Sequence, residues 1–317
     1  MKILSVGMMV YDTVIGPVPN NILSIDSIEI DSPVQSCGGD ALNTAIGAAR
    51  LSCDVTMCGK VGDDLYGRFL LDECKKNGVD ISGVKTDCTA PTPCSFALLD
   101  CTGERHFLSH REMFEKLSYD DISEALIKDA DIVYMGSLLA MKQMDDGGIE
   151  RLFKKAHEHG AVTVMDAAIN ENENQNLEEC LPAIFKETDV FFPSLLEASA
   201  ITKSSSLQEI AAYFSTYHMK FLGVKLGGKG CFVTDYQTER FIDCPHMFPV
   251  VDTTGAGDSF MAGFLCAMTH GNDFFRCAEF ASLIGSLNVS KRGSVGGVPS
   301  YEEAVRQFYI WKKGING

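Results

Sequence analysis

The chain has 317 residues, 45% of them hydrophobic, which is enough for one large α/β domain or two small ones with a packed core. Its formal net charge of −16 disfavours a nucleic-acid partner, whose backbone needs a basic surface. It does not forbid a phosphate ligand, because backbone N–H groups bind one without a lysine patch. No apolar run approaches the roughly 18 residues of a membrane span. The opening MKILSVGMMVYD lacks a small-residue cleavage site and reads as a first strand rather than a signal peptide. Twelve cysteines are scattered without a C-x-x-C pair, so neither a disulfide framework nor a zinc site is indicated. They read as reduced thiols in a cytoplasm, mostly small core residues. Cys37 stands beside a glycine pair and is either a pocket-lining thiol or, more simply, a buried filler.

Strand-like and helix-like segments then alternate along the chain. Ile3–Val6 is a short β-type run, Ala41–Leu51 has helical spacing, and Val55–Cys58 is again β-like. Leu65–Asn77 is amphipathic, with Gly78 where a helix ends. Asp131–Met135 is a strand candidate and Ile149–His159 a helix closed by Gly160. Val162–Asp166, Asp189–Phe192 and Phe221–Lys225 are apolar strand candidates. Phe260–Thr269 and Phe274–Val289 are apolar helices, and Ser300 with Glu303 forms a capping box before a last one. This alternation predicts an α/β fold with a mostly parallel sheet covered by helices on both faces. Ligands of such folds bind at the carboxyl ends of the strands.

Two stretches break the alternation. Residues 11–33 hold no convincing helix, have prolines at 17, 19 and 33, and alternate in Ile22–Ile30. Residues 94–109 read as a hairpin, CSFALL and RHFLS around a turn at Asp100–Glu104 that contains Gly103. Both segments suit a small β-sheet apart from the main one, either a flap over a site or an edge decoration. A single domain over 1–317 with this appendage is the simplest division.

The run Asp252-Thr253-Thr254-Gly255-Ala256-Gly257-Asp258-Ser259-Phe260 follows a β-like stretch, Phe248–Val251, and precedes an apolar helix. Its small residues permit a sharp turn and close approach of a ligand. The N–H groups of Gly255, Ala256 and Gly257 at the helix start form an anion site aided by the helix dipole. Asp258, in the first turn, is placed to take a proton from a substrate hydroxyl beside that site. The competing reading is an acid-capped helix start with glycines for packing. A second run, Cys37-Gly38-Gly39-Asp40-Ala41-Leu42-Asn43, puts paired glycines before a helix that carries Asp40 and Asn43 on one face. Those side chains suit hydroxyl groups, although Asp40 also suits a plain N-cap. Gly223, Gly228 and Lys229 imitate the start of a P-loop, but Gly230 follows where Ser or Thr is needed, and CFVTD reads as a strand.

In order, spacing and total length the two runs resemble the N- and C-terminal signatures, GG-x-x-x-N and DTxGAGD, of the ribokinase-like (PfkB-type) carbohydrate kinases. The resemblance extends over essentially the whole chain. It implies a three-layer α/β sandwich with a central sheet of about eight strands and a small β-sheet lid, the lid arising near 11–33 and 94–109. It implies that Asp258 is the catalytic base and that Gly255, Ala256 and Gly257 form the anion hole. Asp12, Gly39, Asp40 and Asn43 match sugar-binding positions, and Lys225, Gly227 and Gly230 match the nucleotide-binding strand and loop. ATP and Mg2+ are implied, with Glu197 near the metal through water. Asp252 and Thr254 match positions that help bind K+ in some members, and some members pair through the lid. Two departures stand out. Ser194 replaces the asparagine of the family's Asn-x-x-Glu, and Val10 stands where ribokinases carry a polar residue, which counts against ribose.

The implied activity is ATP-dependent phosphorylation of a hydroxyl, a primary alcohol, on a sugar or sugar acid. Arg105 or Arg111 would meet the carboxylate of a sugar acid. One alternative is a nucleoside kinase with Phe96, His106 and Phe107 as the slot for the base. The other is a non-catalytic sugar-binding regulator, against which the retained Asp258 argues.

Overall fold

The computed structural model describes residues 1–30, 32–101, 105–168 and 177–315. Its first half contains β1 (Lys2–Val6), β2 (Val10–Val18), β3 (Val34–Gly38), α1 (Asp40–Arg50), β4 (Asp54–Gly62), α2 (Leu65–Lys76) and β5 (Asp80–Asp87). The hairpin strands β6 (Cys94–Asp100) and β7 (Arg105–His110) follow, then α3 (Glu124–Asp129), β8 (Ile132–Leu138), α4 (Ile149–Glu158) and β9 (Val162–Ala167). The second half runs α5 (Leu177–Lys186), β10 (Val190–Phe191), α6 (Leu195–Thr202), α7 (Leu207–Ser215) and β11 (Phe221–Lys225). It closes with β12 (Cys231–Thr234), β13 (Glu239–Ile242), α8 (Ala256–Thr269), α9 (Phe274–Asn288) and α10 (Tyr301–Ile315).

Nine strands form the main sheet in the order β13-β12-β11-β10-β9-β8-β1-β4-β5. All neighbours are parallel except β11–β12 and β12–β13. The inner strands are buried on both faces, so their side chains alternate between two cores rather than between core and water. Ile3, Tyr134, Val164, Val190 and Phe221 pack with α1, α2, α8, α9 and α10. Leu4, Val133, Met165, Phe191 and Leu222 pack with α3 to α7 on the other side. Each fully buried Leu or Phe contributes about 1.5–3 kcal/mol. The result is the expected three-layer α/β sandwich.

A separate four-stranded sheet, ordered β3-β2-β6-β7, stands at the carboxyl edge. Asp12 is in register with Ser36 and with Ser95, and Ser95 with Ser109, so these polar residues share one face. Tyr11, pointing the other way, stacks on Tyr66 at 4.2 Å and meets Phe69 edge-on, which ties the small sheet to α2.

Several local expectations are corrected. The alternation in Ile22–Ile30 makes no strand; it gives only a 3-10 turn at Ile22–Ser24, and the strands of the segment are β2 and β3. Phe248–Val251 is not a strand either. Its side chains do not alternate between a core and water: Phe248, Val250 and Val251 are all exposed. The helix expected over Phe260–Thr269 begins earlier than its apolar run, at Ala256, because small residues occupy the first turn. Gly103 and Glu104 of the hairpin turn, and the Arg105 side chain, lie outside the described residues.

Candidate active site

A cavity of about 870 Å³ opens between the small sheet and the carboxyl ends of β9 and β11. One end is lined by Asp12, Gly39, Asp40 and Asp258, the other by Gly227, Gly228, Gly230, Phe248, Val250 and Val289. Asp166, Ser194, Glu197, Lys225 and Gly257 also line it.

The chain turns into α8 through Gly255, the N-cap, at φ 68°. Only a residue without Cβ fits there, since a Cβ would lie 1.9 Å from the Ser294 carbonyl oxygen. Asp258 is then the third helical residue. Asn43, on α1, donates from Nδ2 to Asp258 Oδ2 at 2.8 Å, and Thr44 Oγ1 donates to the Asp258 carbonyl at 3.2 Å. Burial pushes the Asp258 carboxyl up to about 6, against the Asn43 hydrogen bond and the Lys225 charge that favour its ionised form. The three glycine-loop residues are not equivalent donors. Ala256 N–H already donates to the Thr253 carbonyl at 3.3 Å, whereas Gly257 faces Lys225, whose Nζ would be 3.5 Å from a Cβ there.

Lys225 ends β11 and Asp166 lies near the end of β9. Lys225 Nζ is 2.7 and 2.5 Å from the two Asp166 oxygens. Burial pushes Asp166 up to about 7 in spite of the lysine. Burial also opposes the ammonium, but the Asp166 and Glu197 carboxylates outweigh it and keep Lys225 charged. Beside this pair, Ser194 and Glu197 form a capping box at the start of α6. Ser194 N–H donates to Glu197 Oε2 at 2.6 Å and Glu197 N–H to Ser194 Oγ at 3.3 Å. Serine for asparagine therefore keeps a good N-cap residue in place.

At the other end, Gly39 is the N-cap of α1 at φ 87°, where a Cβ would meet the Met8 carbonyl oxygen at 2.4 Å. Burial raises Asp12 to about 7 and Asp40 to about 6, the Asp258 charge adding to both. Asp40 Oδ2 and Asn43 Oδ1 are buried without a hydrogen-bond partner among the described residues.

Asn43 is not among the cavity-lining residues. Its amide holds Asp258. Asp252 and Thr254 also stand back from the cavity. Asp252 Oδ1 accepts from Thr254 N–H at 2.9 Å and Oγ1 at 2.7 Å, and Oδ2 accepts from Gly293 N–H at 3.0 Å. Cys37 is buried in the core, and Phe96 and His106 do not line the cavity, although Phe107 and Arg111 do. Sequence reasoning missed Asp166 and its pairing with Lys225. An aspartate ending an apolar parallel strand was the available signal.

A pfkB family carbohydrate kinase model matches residues 1–300. The chain belongs to the pfkB family of carbohydrate kinases. This carbohydrate kinase is 29% identical over 319 residues to a probable fructokinase-3 of Arabidopsis thaliana, covering 96% of this chain and 90% of that protein. It is 30% identical over 316 residues to a fructokinase of Solanum tuberosum, covering 96% and 94%. Its fold superimposes on a ribokinase II-type protein of Escherichia coli, solved with ATP and Mg2+, with a TM-score of 0.85 at 22% identity, covering 98% of this chain and 99% of that one. No described helix of the kinase is long and apolar enough to cross a membrane.

Proposed function

We propose that the kinase transfers the terminal phosphoryl group of ATP to a hydroxyl, a primary alcohol, of a sugar or sugar acid, with Asp258 taking the proton. The carrying observation is the meeting of Asp258, Asp12, Asp40 and Lys225 on one cavity. Asp12 and Asp40 accept hydrogen bonds from the sugar. Asn43 fixes the Asp258 carboxylate and leaves it able to receive the hydroxyl proton. The Gly257 N–H and Lys225 face the phosphoryl group as charge moves onto it, and Gly255 and Ala256 shape that helix start. Phe248, Val250 and Val289 offer an apolar slot for the nucleobase, next to Gly227, Gly228 and Gly230. The small sheet acts as a lid that excludes water.

Magnesium would bring charge neutralisation to the nucleotide phosphates. The hard oxygens of Glu197 and Asp166 fit it through water, because Mg2+ keeps several waters and needs few protein ligands. A monovalent cation such as K+ at Asp252 and Thr254 would act by bracing the loop before α8. The edge strands β3 and β7 of the lid would support pairing of two copies. Twelve free cysteines favour a cytoplasmic setting.

Fructose is the first acceptor to test, given the fructokinases among the relatives. ADP release from ATP should rise on adding one or more sugars of a panel that begins with fructose and includes sugar acids and nucleosides. No stimulation by any of them would overturn the reading and favour a non-catalytic binding protein.

A further inference from the structure

The acceptor end carries a carboxylate whose surroundings say what it can accept. Ser137, the last residue but one of β8, is fully buried and holds a left-handed backbone at φ 70° although it is not glycine. Its hydroxyl donates to Asp40 Oδ1, and Met8 N–H donates to that hydroxyl at 3.3 Å. Ala41 N–H gives Oδ1 a second donor at 2.8 Å. The rotamer of Asp40 is thus fixed through one oxygen, while Oδ2 has no partner among the described residues. A buried, unpaired carboxylate oxygen is costly until a donor reaches it.

Charge completes the picture. Among the described residues, five carboxylates line the cavity (Asp12, Asp40, Asp166, Glu197 and Asp258) against two permanent cations, Lys225 and Arg111. Lys225 is committed to Asp166. Arg111 follows the lid strand β7.

We infer that Asp40, held by Ser137, selects acceptors that present a hydrogen-bond donor to Oδ2 and rejects sugar acids, with Ser137 acting as a positioning residue through Asp40. This rests on the sugar-kinase reading above. A sugar hydroxyl supplies the missing donor. A sugar carboxylate would place a further negative charge beside Asp12, Asp40 and Asp258 and leave Oδ2 unpaired.

The test compares wild type, Asp40→Asn, Ser137→Ala and Ser137→Gly on fructose, ribose and glucose beside gluconate and ribonate. Wild type should favour a neutral sugar. Asp40→Asn should raise KM for that sugar by roughly 10- to 100-fold. It should also narrow the neutral-to-acid ratio of kcat/KM by about tenfold or more, because the repelling charge is gone. Ser137→Ala and Ser137→Gly should both raise sugar KM by about 3- to 10-fold, with kcat and the KM for ATP little changed. The glycine variant separates the hydroxyl from the backbone. Glycine adopts φ 70° freely, so a purely structural serine would make Ser137→Gly harmless, with Tm kept or raised. Unchanged selectivity in folded Asp40→Asn, or a Ser137→Gly enzyme with wild-type KM, overturns the inference. A wild type that prefers an acid overturns it as well. A wild type that phosphorylates nothing in the panel overturns the kinase reading instead.

Discussion

The two ends of the cavity are built on opposite principles. At the end proposed for the nucleotide the charged and polar groups already have protein partners: Lys225 with Asp166, and Ser194 with Glu197. At the end proposed for the sugar, burial raises the Asp12, Asp40 and Asp258 carboxyls, with the Asp258 charge adding to the first two, and two buried polar atoms have no partner among the described residues. A satisfied network rigidifies what it holds, whereas an unsatisfied one is costly until a ligand completes it. The nucleotide end is therefore a preformed platform. On the proposed reading, the sugar end is a set of acceptors for hydroxyl donors.

Three experiments break or sharpen that contrast. The largest effect is expected from Lys225→Met, which strips the partner from Asp166, a side chain only 3% exposed. Removing one member of a buried pair costs about 3–5 kcal/mol, to be read from the urea unfolding midpoint. A wild-type midpoint would mean that the platform is not held by this pair. The pH profile should show a smaller but plain effect. Asp258 and Asp40 are raised to about 6 and Asp12 to about 7, and a base must be ionised to take a proton. The sign is therefore a fall in kcat/KM as pH drops below about 6–7, about tenfold per unit for each proton required, with apparent pKa values belonging to the coupled group. A flat profile down to pH 4 would contradict the raised sugar end. The smallest effect is expected from the cap. Ser194→Ala should lose about 1 kcal/mol, whereas Ser194→Asn, another good cap, should stay near wild type.

Much of the fold was legible because parallel strands buried on both faces leave continuous apolar runs, as in Phe221–Lys225. Short elements were not. Of the expected Asp189–Phe192 strand only Val190–Phe191 forms. Phe248–Val251 carried a strand-like composition but no strand, since Phe248 and Val250 line the cavity opening rather than a core. At the site, the glycine turns before Asp40 and Asp258 were readable because left-handed backbone demands glycine. Ser137 was not, because it takes that backbone without being one, and only the fold brings it 97 positions back to Asp40. The Ser194–Glu197 box was readable by the rule applied at Ser300, yet its family position drew attention to metal binding instead.

The central claim is that Asp258 is the base, and Asp258→Asn tests it most directly. Sugar and ATP binding are followed by thermal shift, and phosphoryl transfer by single-turnover kinetics. The account predicts retained binding with the transfer step slowed by about 10²–10⁴. A folded Asp258→Asn enzyme that binds both ligands and transfers phosphate near the wild-type rate would contradict it.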